Sequence, residues 1–286
     1  MLQPVRIEGA RIPQPDPLAE LERIPEAGSH ITYISPDGER YGLHYPTVAE
    51  SNVQRVVMKP GGLEGATAQP DFTDHESVNG FGARQGSFKL PPVEVTTEVT
   101  ITSDVQPVSM QEAEWRRAWS HFKDGRIEVR SRGVETHWAP ARLVAMPDIG
   151  EELKGRRYFE TSVTWRNMKG CWFGEMIPLT GEAVLVPAGD LPPSLRLHWT
   201  GEASSVTFPD GRRVAFPALG AERYINLDFG MSAQVTRPDG TVDTNAWSGI
   251  NGLVHGMTLV PNEPTEWVLG AGMTLEVTPR YLSPWR

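Results

Sequence analysis

Apolar and polar positions alternate strictly through "VEVTTEVTIT" at residues 93–102, and a period of two predicts a strand with one buried face. The same period recurs at residues 30–35 and 40–45, where Tyr41, Leu43 and Tyr45 fall on one side. It returns in "RIEVRSR" and "RYFETSVTWRN", which are separated by a proline- and glycine-containing stretch around Pro147 to Gly150. One segment breaks this rule. Trp115, Ala118, Trp119 and Phe122 recur at helical intervals, Ser109 and Glu112 have capping-box spacing, and Asp124-Gly125 follows, so a helix is predicted over residues 109–122. Beyond "GCWFGEMIPLTGE" the pattern is almost purely that of short strands, predicted at 183–187, 194–199, 204–208, 213–216, 224–229, 231–236, 253–259, 265–269 and 273–280. Many short strands at this spacing make the second half an all-β sandwich or jelly roll.

Between these runs lie the punctuating residues. Pro-Asp-Gly occurs three times, at Pro36 to Gly38, Pro209 to Gly211 and Pro238 to Gly240. Proline presets φ for the first turn position, Asp tolerates the next, and glycine takes the positive φ that closes a hairpin, so the tripeptides read as turns. Residues 1–29 are proline-rich with little periodicity and read as an extended arm with at most a helical turn at "LAELERI". Residues 59–87 are rich in glycine and lack an apolar pattern, which predicts a long irregular loop. The organisation expected is an arm (1–29), a mainly β domain with one helix (30–175) and a β-sandwich domain (176–286).

Composition narrows the functions that fit. With 286 residues, 39% hydrophobic and 22% charged, the chain reads as a soluble globular protein; it has no apolar run of membrane-spanning length and no signal-peptide pattern, so folding in a cytoplasm is expected. The net charge is −9, with −5 carried by residues 1–176 and −4 by 177–286, whereas tight nucleic-acid binding calls for a basic surface. A lone cysteine, Cys171, excludes an intrachain disulfide and a Cys-based zinc site and reads as a buried small residue. The seven histidines (30, 44, 75, 121, 137, 198, 255) show no metal-ligand spacing, and Asp71, Asp74, His75 and Glu76 are explained as a solvated cluster. "NGFGARQG" (79–86) lacks the lysine and flanking elements of a phosphate loop, Gly-x-Ser-x-Gly is absent, and Glu151-Glu152 stands out from no background. No catalytic, cofactor-binding or metal-binding residue is therefore assigned, and no cofactor is expected. The nine tryptophans leave one alternative open: Trp199, Trp247, Trp267 and Trp285 lie in the β-rich half, as core residues or as platforms for sugar rings.

Several pieces in order carry a resemblance: "VNGFGARQGSFKLPPVEVTTEVTIT", the helix "SMQEAEWRRAWSHF" followed by "GRIEVRSRG", "YFETSVTWRNMKGCWFG", "VTFPDGRRVAFPALGAERYINLDFGMSAQVTRPDGTVDTNAWSGINGL" and the terminal "EVTPRYLSPWR". Over nearly its whole length the chain resembles the distal tail proteins, or minor tail proteins, of long-tailed siphovirus phages infecting actinobacteria. The resemblance implies a tail-tube-like β domain that forms a ring, followed by a galectin-like sandwich. It implies a non-enzymatic virion protein at the tail tip, a homo-oligomer of typically six copies. Its partners would be the tail tube protein and the tip hub or other minor tail proteins, with DNA only passing through the lumen and no membrane contact. The alternative function is a lectin-like tail-tip protein that contacts host cell-wall glycans.

Overall fold

The computed structural model describes residues 5–6, 29–44, 55–76, 83–102, 107–131, 135–149, 157–228 and 233–285. Its strands are β1 (Val5–Arg6), β2 (Ser29–Ile34), β3 (Arg40–His44), β4 (Arg55–Met58), β5 (Asp71–Glu76), β6 (Ala83–Lys89), β7 (Val93–Thr102), β8 (Gly125–Ser131), β9 (His137–Ala145), β10 (Tyr158–Asn167) and β11 (Trp172–Phe173). They continue with β12 (Ile177–Leu179), β13 (Glu182–Val186), β14 (Leu191–Trp199), β15 (Ser204–Thr207), β16 (Arg213–Phe216), β17 (Arg223–Asn226), β18 (Val235–Thr236), β19 (Thr265–Leu269) and β20 (Met273–Tyr281). Two helices are described, α1 (Val108–Arg117) and α2 (Thr244–Ile250). The chain divides into two compact units: one is built from β2 to β11 with the terminal residues 282–285, the other from residues 174–281 with β1.

In the first unit an antiparallel sheet runs in the order β3-β2-β8-β9-β10-β7-β4. β7 and β10 pair over ten positions, from Thr102↔Tyr158 to Val93↔Asn167. Their alternation sends Val95, Val99, Ile101, Val163 and Trp165 inward. α1 touches β7 and β10, while its Trp115 packs edge-on against Tyr33 of β2 and Tyr41 of β3, so the sheet curls round the helix. One buried polar chain crosses this core: Trp165 Nε1 donates to Thr97 Oγ1 (3.0 Å), whose hydroxyl donates to the Gly62 carbonyl (2.7 Å).

Four expectations are corrected here. The helix ends at Arg117 rather than 122. Its N-cap is Pro107, and Ser109 lies inside the first turn, so no capping box forms. Glu112 instead turns inward, 1% exposed, and accepts from Arg116 one turn on. Phe122, expected on the buried face, lies in the bend after the helix and is 90% exposed. The segment 59–87 is not one irregular loop: β5 and β6 form an antiparallel hairpin within it, although its tip (77–82) lies outside the described residues. β9 was not among the predicted strands, and it contains Pro140, a residue that strand interiors disfavour. Pro140 falls between Trp138, paired to Phe173 of β11, and Arg142, paired to Arg166 of β10, where a missing N–H costs no ladder bond on that side. The "LAELERI" turn and Glu151-Glu152 lie outside the described residues.

The second unit packs two sheets face to face. One has the order β1-β13-β19-β15-β16; the other runs β18-β17-β14-β20 with β12 on β20. Leu185, Val206, Phe216 and Trp267 from the first sheet and Leu197, Trp199, Ile225 and Leu275 from the second share one buried cluster. This half is not all-β. Asp243 caps α2, its carboxylate accepting from the Ala246 N–H (3.1 Å), and Ala246 and Ile250 are buried in the core. The strand expected at 253–259 is reduced to isolated bridges, Asn251↔Val254 and Asp228↔Met257. That expected at 231–236 is described only as Val235–Thr236.

Candidate functional site

The three Pro-Asp-Gly segments fold alike. In each, the residue before proline accepts a bond from the glycine N–H and donates its own N–H to the residue after glycine: Ser35 to Glu39 (2.8 Å), Phe208 to Arg212 (2.9 Å) and Arg237 to Thr241 (2.8 Å). Gly38, Gly211 and Gly240 have φ of 92°, 81° and 82°, the left-handed region in which glycine escapes the Cβ penalty. The two later carboxylates bond within their own turns. Asp210 receives the Arg212 backbone N–H (3.0 Å) and guanidinium (2.6 Å), and Asp239 receives the Thr241 hydroxyl (2.6 Å) and N–H (2.9 Å). The Arg212 side chain holds Asp210 below the usual carboxylate range, and the Thr241 hydroxyl does the same for Asp239. These lone pairs are used by the backbone geometry.

The other polar constellations are equally inward-looking. Among the described residues no three His, Cys, Asp or Glu side chains converge as a metal site would require. Asp71 lies exposed on β5, and the side chains of Asp74, His75 and Glu76 are outside the described set. Cys171 is buried. Burial, the largest cause, drives the phenols of Tyr33 and Tyr41 well above their ordinary range, so neither works as an acid or base near neutrality. Trp199 and Trp267 are 0% and 1% exposed, each in ring contact with a core phenylalanine, Phe216 and Phe208, so neither is a platform for a sugar. Trp247 packs partly buried against the same core, and Trp285 is 46% exposed in the other unit. No helix among the described residues is long and apolar enough to cross a membrane.

What the structure does present is a projecting ribbon. β5 and β6 pair with each other and with no other described strand. Phe72 faces Phe88 across the ribbon, rings 6.0 Å apart, and they are 45% and 41% exposed. Asp71, Thr73, Ser87 and Lys89 around them are exposed as well. The ribbon base is held firmly. Ala66 O accepts from Trp172 Nε1 (2.7 Å), the Ala68 N–H donates to Leu282 O (2.7 Å), and Gly170 (φ 64°) sits so close to the Pro91 carbonyl that a Cβ would lie 2.5 Å from it. An isolated two-stranded hairpin is marginal in water, and the half-exposed Phe72 and Phe88 make this ribbon the candidate contact surface among the described residues. Glycines between Gly61 and Gly86 hid this ribbon from a reading of periodicity; Phe72 and Phe88, sixteen residues apart about a glycine-rich centre, were the available signal.

The outer face of β7 and β10 is polar and nearly balanced in charge. Glu94 pairs with Arg166 (2.6 Å), Thr96 with Thr164 (2.9 Å), and Lys59 bridges Glu160 (2.7 Å) and Glu98 (3.7 Å). Exposed pairs of this kind contribute little stability each.

No protein-family model matches the chain, and no curated protein does. Solved structures do. The hub protein Dit of phage SPP1, described as a paradigm of the adsorption apparatus of phages infecting Gram-positive bacteria, matches with a TM-score of 0.53 at 11% identity. The match covers 88% of this chain and 98% of that one. A chain of the phage P2 baseplate in its activated conformation with calcium matches with a TM-score of 0.48 at 9% identity, over 88% of this chain and 98% of that one. The two compact units described above are thus folded, over almost the whole length of the SPP1 protein, in the manner of a phage Dit hub subunit.

Proposed function

We propose that the protein is a structural, non-enzymatic subunit of a phage tail tip that forms a ring of Dit type, joining the tail tube to the tip proteins used in host attachment and DNA delivery. The observation that carries this reading is the Dit-like fold over 98% of the SPP1 hub chain. Six copies, a siphovirus of actinobacteria and a galectin-like second unit are parts of the same proposal, drawn from the resemblance of the sequence segments. The β5–β6 ribbon gives a ring subunit what it needs, an apolar projection that is covered only when a neighbour is present. Net acidity suits a channel through which DNA passes without adhering. A glycan-binding role is the weaker reading, since burial of Trp199 and Trp267 removes two of its four platforms.

The test is the mass and shape of the purified full chain. Electron microscopy should show rings about a central channel, and a phage with a stop codon in this gene should yield no infectious particles of normal tail. Normal infectious particles from that phage overturn the proposal. Binding to cell-wall glycans at millimolar concentration, lost on changing Trp247 or Trp285 to Ala in a folded protein, would favour the glycan reading.

A further inference from the structure

The sandwich of the second unit is closed by one continuous stretch of chain, its core cluster running from Leu179 to Val277. Within its two sheets the ladders that join neighbouring strands are antiparallel. β1 is the exception. Residues 5 and 6, from the far end of the chain, lie parallel to the edge strand β13, with Val5↔Leu185 and Arg6↔Val186 in register. A parallel neighbour cannot come from a tight hairpin and needs a long connection. Here β13 gains main-chain bonds from a segment about 180 residues away in sequence, which is β-augmentation of an open edge.

The next described residue after β1 is Ser29, in the other unit. The intervening residues 7–28 include Pro13, Pro15, Pro17 and Pro25. Fully extended, a segment of that length reaches about 70 Å, well beyond the dimensions of one small domain. Taking the ring reading as given, every copy carries the same β13 edge and the same donor strand. A donor that shifts to the neighbouring copy keeps the same hydrogen bonds, and the closed ring leaves none unpaired. We infer that β1 is exchanged: each copy's residues 5–6 complete the β13 edge of the adjacent copy, tying neighbours together through main-chain bonds at a surface distinct from the β5–β6 ribbon.

Cross-linking of the full chain in a Cys171→Ala background tests this. Register-paired strand positions lie within disulfide reach, so Arg6→Cys and Val186→Cys are co-expressed as two single variants, and also combined in one chain. The mass of the reduced protein reports whether a ring forms. Exchange predicts, in the assembled protein, a covalent dimer from the co-expressed single variants and a ladder of covalent multimers from the double variant on non-reducing gels. An assembled protein whose double variant is linked only within each chain overturns the exchange and leaves the ring standing. A monomer linked within the chain overturns both. An assembled protein with no disulfide in either format also overturns the exchange, because β1 then does not lie on β13. If Val186→Cys fails to fold, a photo-cross-linker at position 6 in assemblies mixed from light and heavy-isotope chains gives the same answer: mixed-isotope peptides containing residues 185–187 support exchange, and their absence overturns it.

Discussion

The phenol of Tyr33 lies flat on the indole of Trp119, ring centroids 3.8 Å apart and planes 4° from parallel, while its hydroxyl donates to the Ala118 carbonyl at 2.8 Å. One side chain of β2 thus packs beside the end of α1 and also satisfies one of its orphan carbonyls. Tyr33→Phe should cost about 1 kcal/mol through the lost bond. Trp119→Ala, which opens a cavity as well, should cost about 3–5 kcal/mol. Gly125→Ala should be worse than Tyr33→Phe, because its Cβ would meet the Tyr33 ring at 2.6 Å and the Ile34 carbonyl at 2.7 Å. Urea unfolding followed by tryptophan fluorescence measures all three; a Tyr33→Phe protein as stable as the parent refutes the cap.

Changing Phe72 and Phe88 together to Ser should leave the melting temperature nearly unchanged, since both rings are already about half exposed. Association should weaken by at least about tenfold, equivalent to 1.4 kcal/mol. Sedimentation of parent and variant at matched concentrations provides the comparison, and equal assembly would show that the ribbon is not covered in the ring.

Acid should loosen the second unit through Asp243. Its carboxylate is held below the usual range first by the Ala246 N–H and then by Arg223 (2.7 Å), with Arg237 at 3.6 Å. A depressed folded pKa means the stabilisation is complete above the ordinary carboxylate value, near 4, and is lost as pH falls below it. Denaturant midpoints should therefore drop more steeply between pH 5 and about pH 3 for the parent than for Asp243→Asn, which can still cap the helix but carries no titrating charge. Parallel profiles would remove Asp243 from the cause.

Asp210→Asn should change neither assembly nor any binding, because its carboxylate is engaged by Arg212. Gly211→Ala should cost about 1 kcal/mol from the left-handed φ alone, since nothing lies within 4 Å of the added Cβ. Gly201→Ala should cost considerably more: φ is 91° and the new atom would lie 2.2 Å from the Ala221 carbonyl. Thermal melts of the pair separate strain from collision.

Much of the second unit was legible because its cause is local. Val206, Phe208, Val214 and Phe216 alternate about Pro209-Asp210-Gly211, and all four are buried. The same holds for the alternation of β7. Features decided by one polar contact or by remote partners were not legible. α2 rests on the Asp243 carboxylate in a stretch of seven residues too short to show a period, and Glu112, spaced for a cap, is drawn inward to Arg116. The pairing of Val5 with Leu185 has no sequence signal, being a main-chain contact between distant segments. Phe122 could not be told from a core residue by spacing, because the helix stops one turn before reaching it.

The three Pro-Asp-Gly tips have a practical consequence. Their glycines point at open space, the flanking strands set the register, and two of the tips belong to the second unit while one belongs to the first. A gold-binding or fluorescent peptide placed at Gly38 or Gly240 enters at a point already turned toward solvent. Each unit therefore carries its own docking port for a visible marker, by which its place in an intact particle can be mapped.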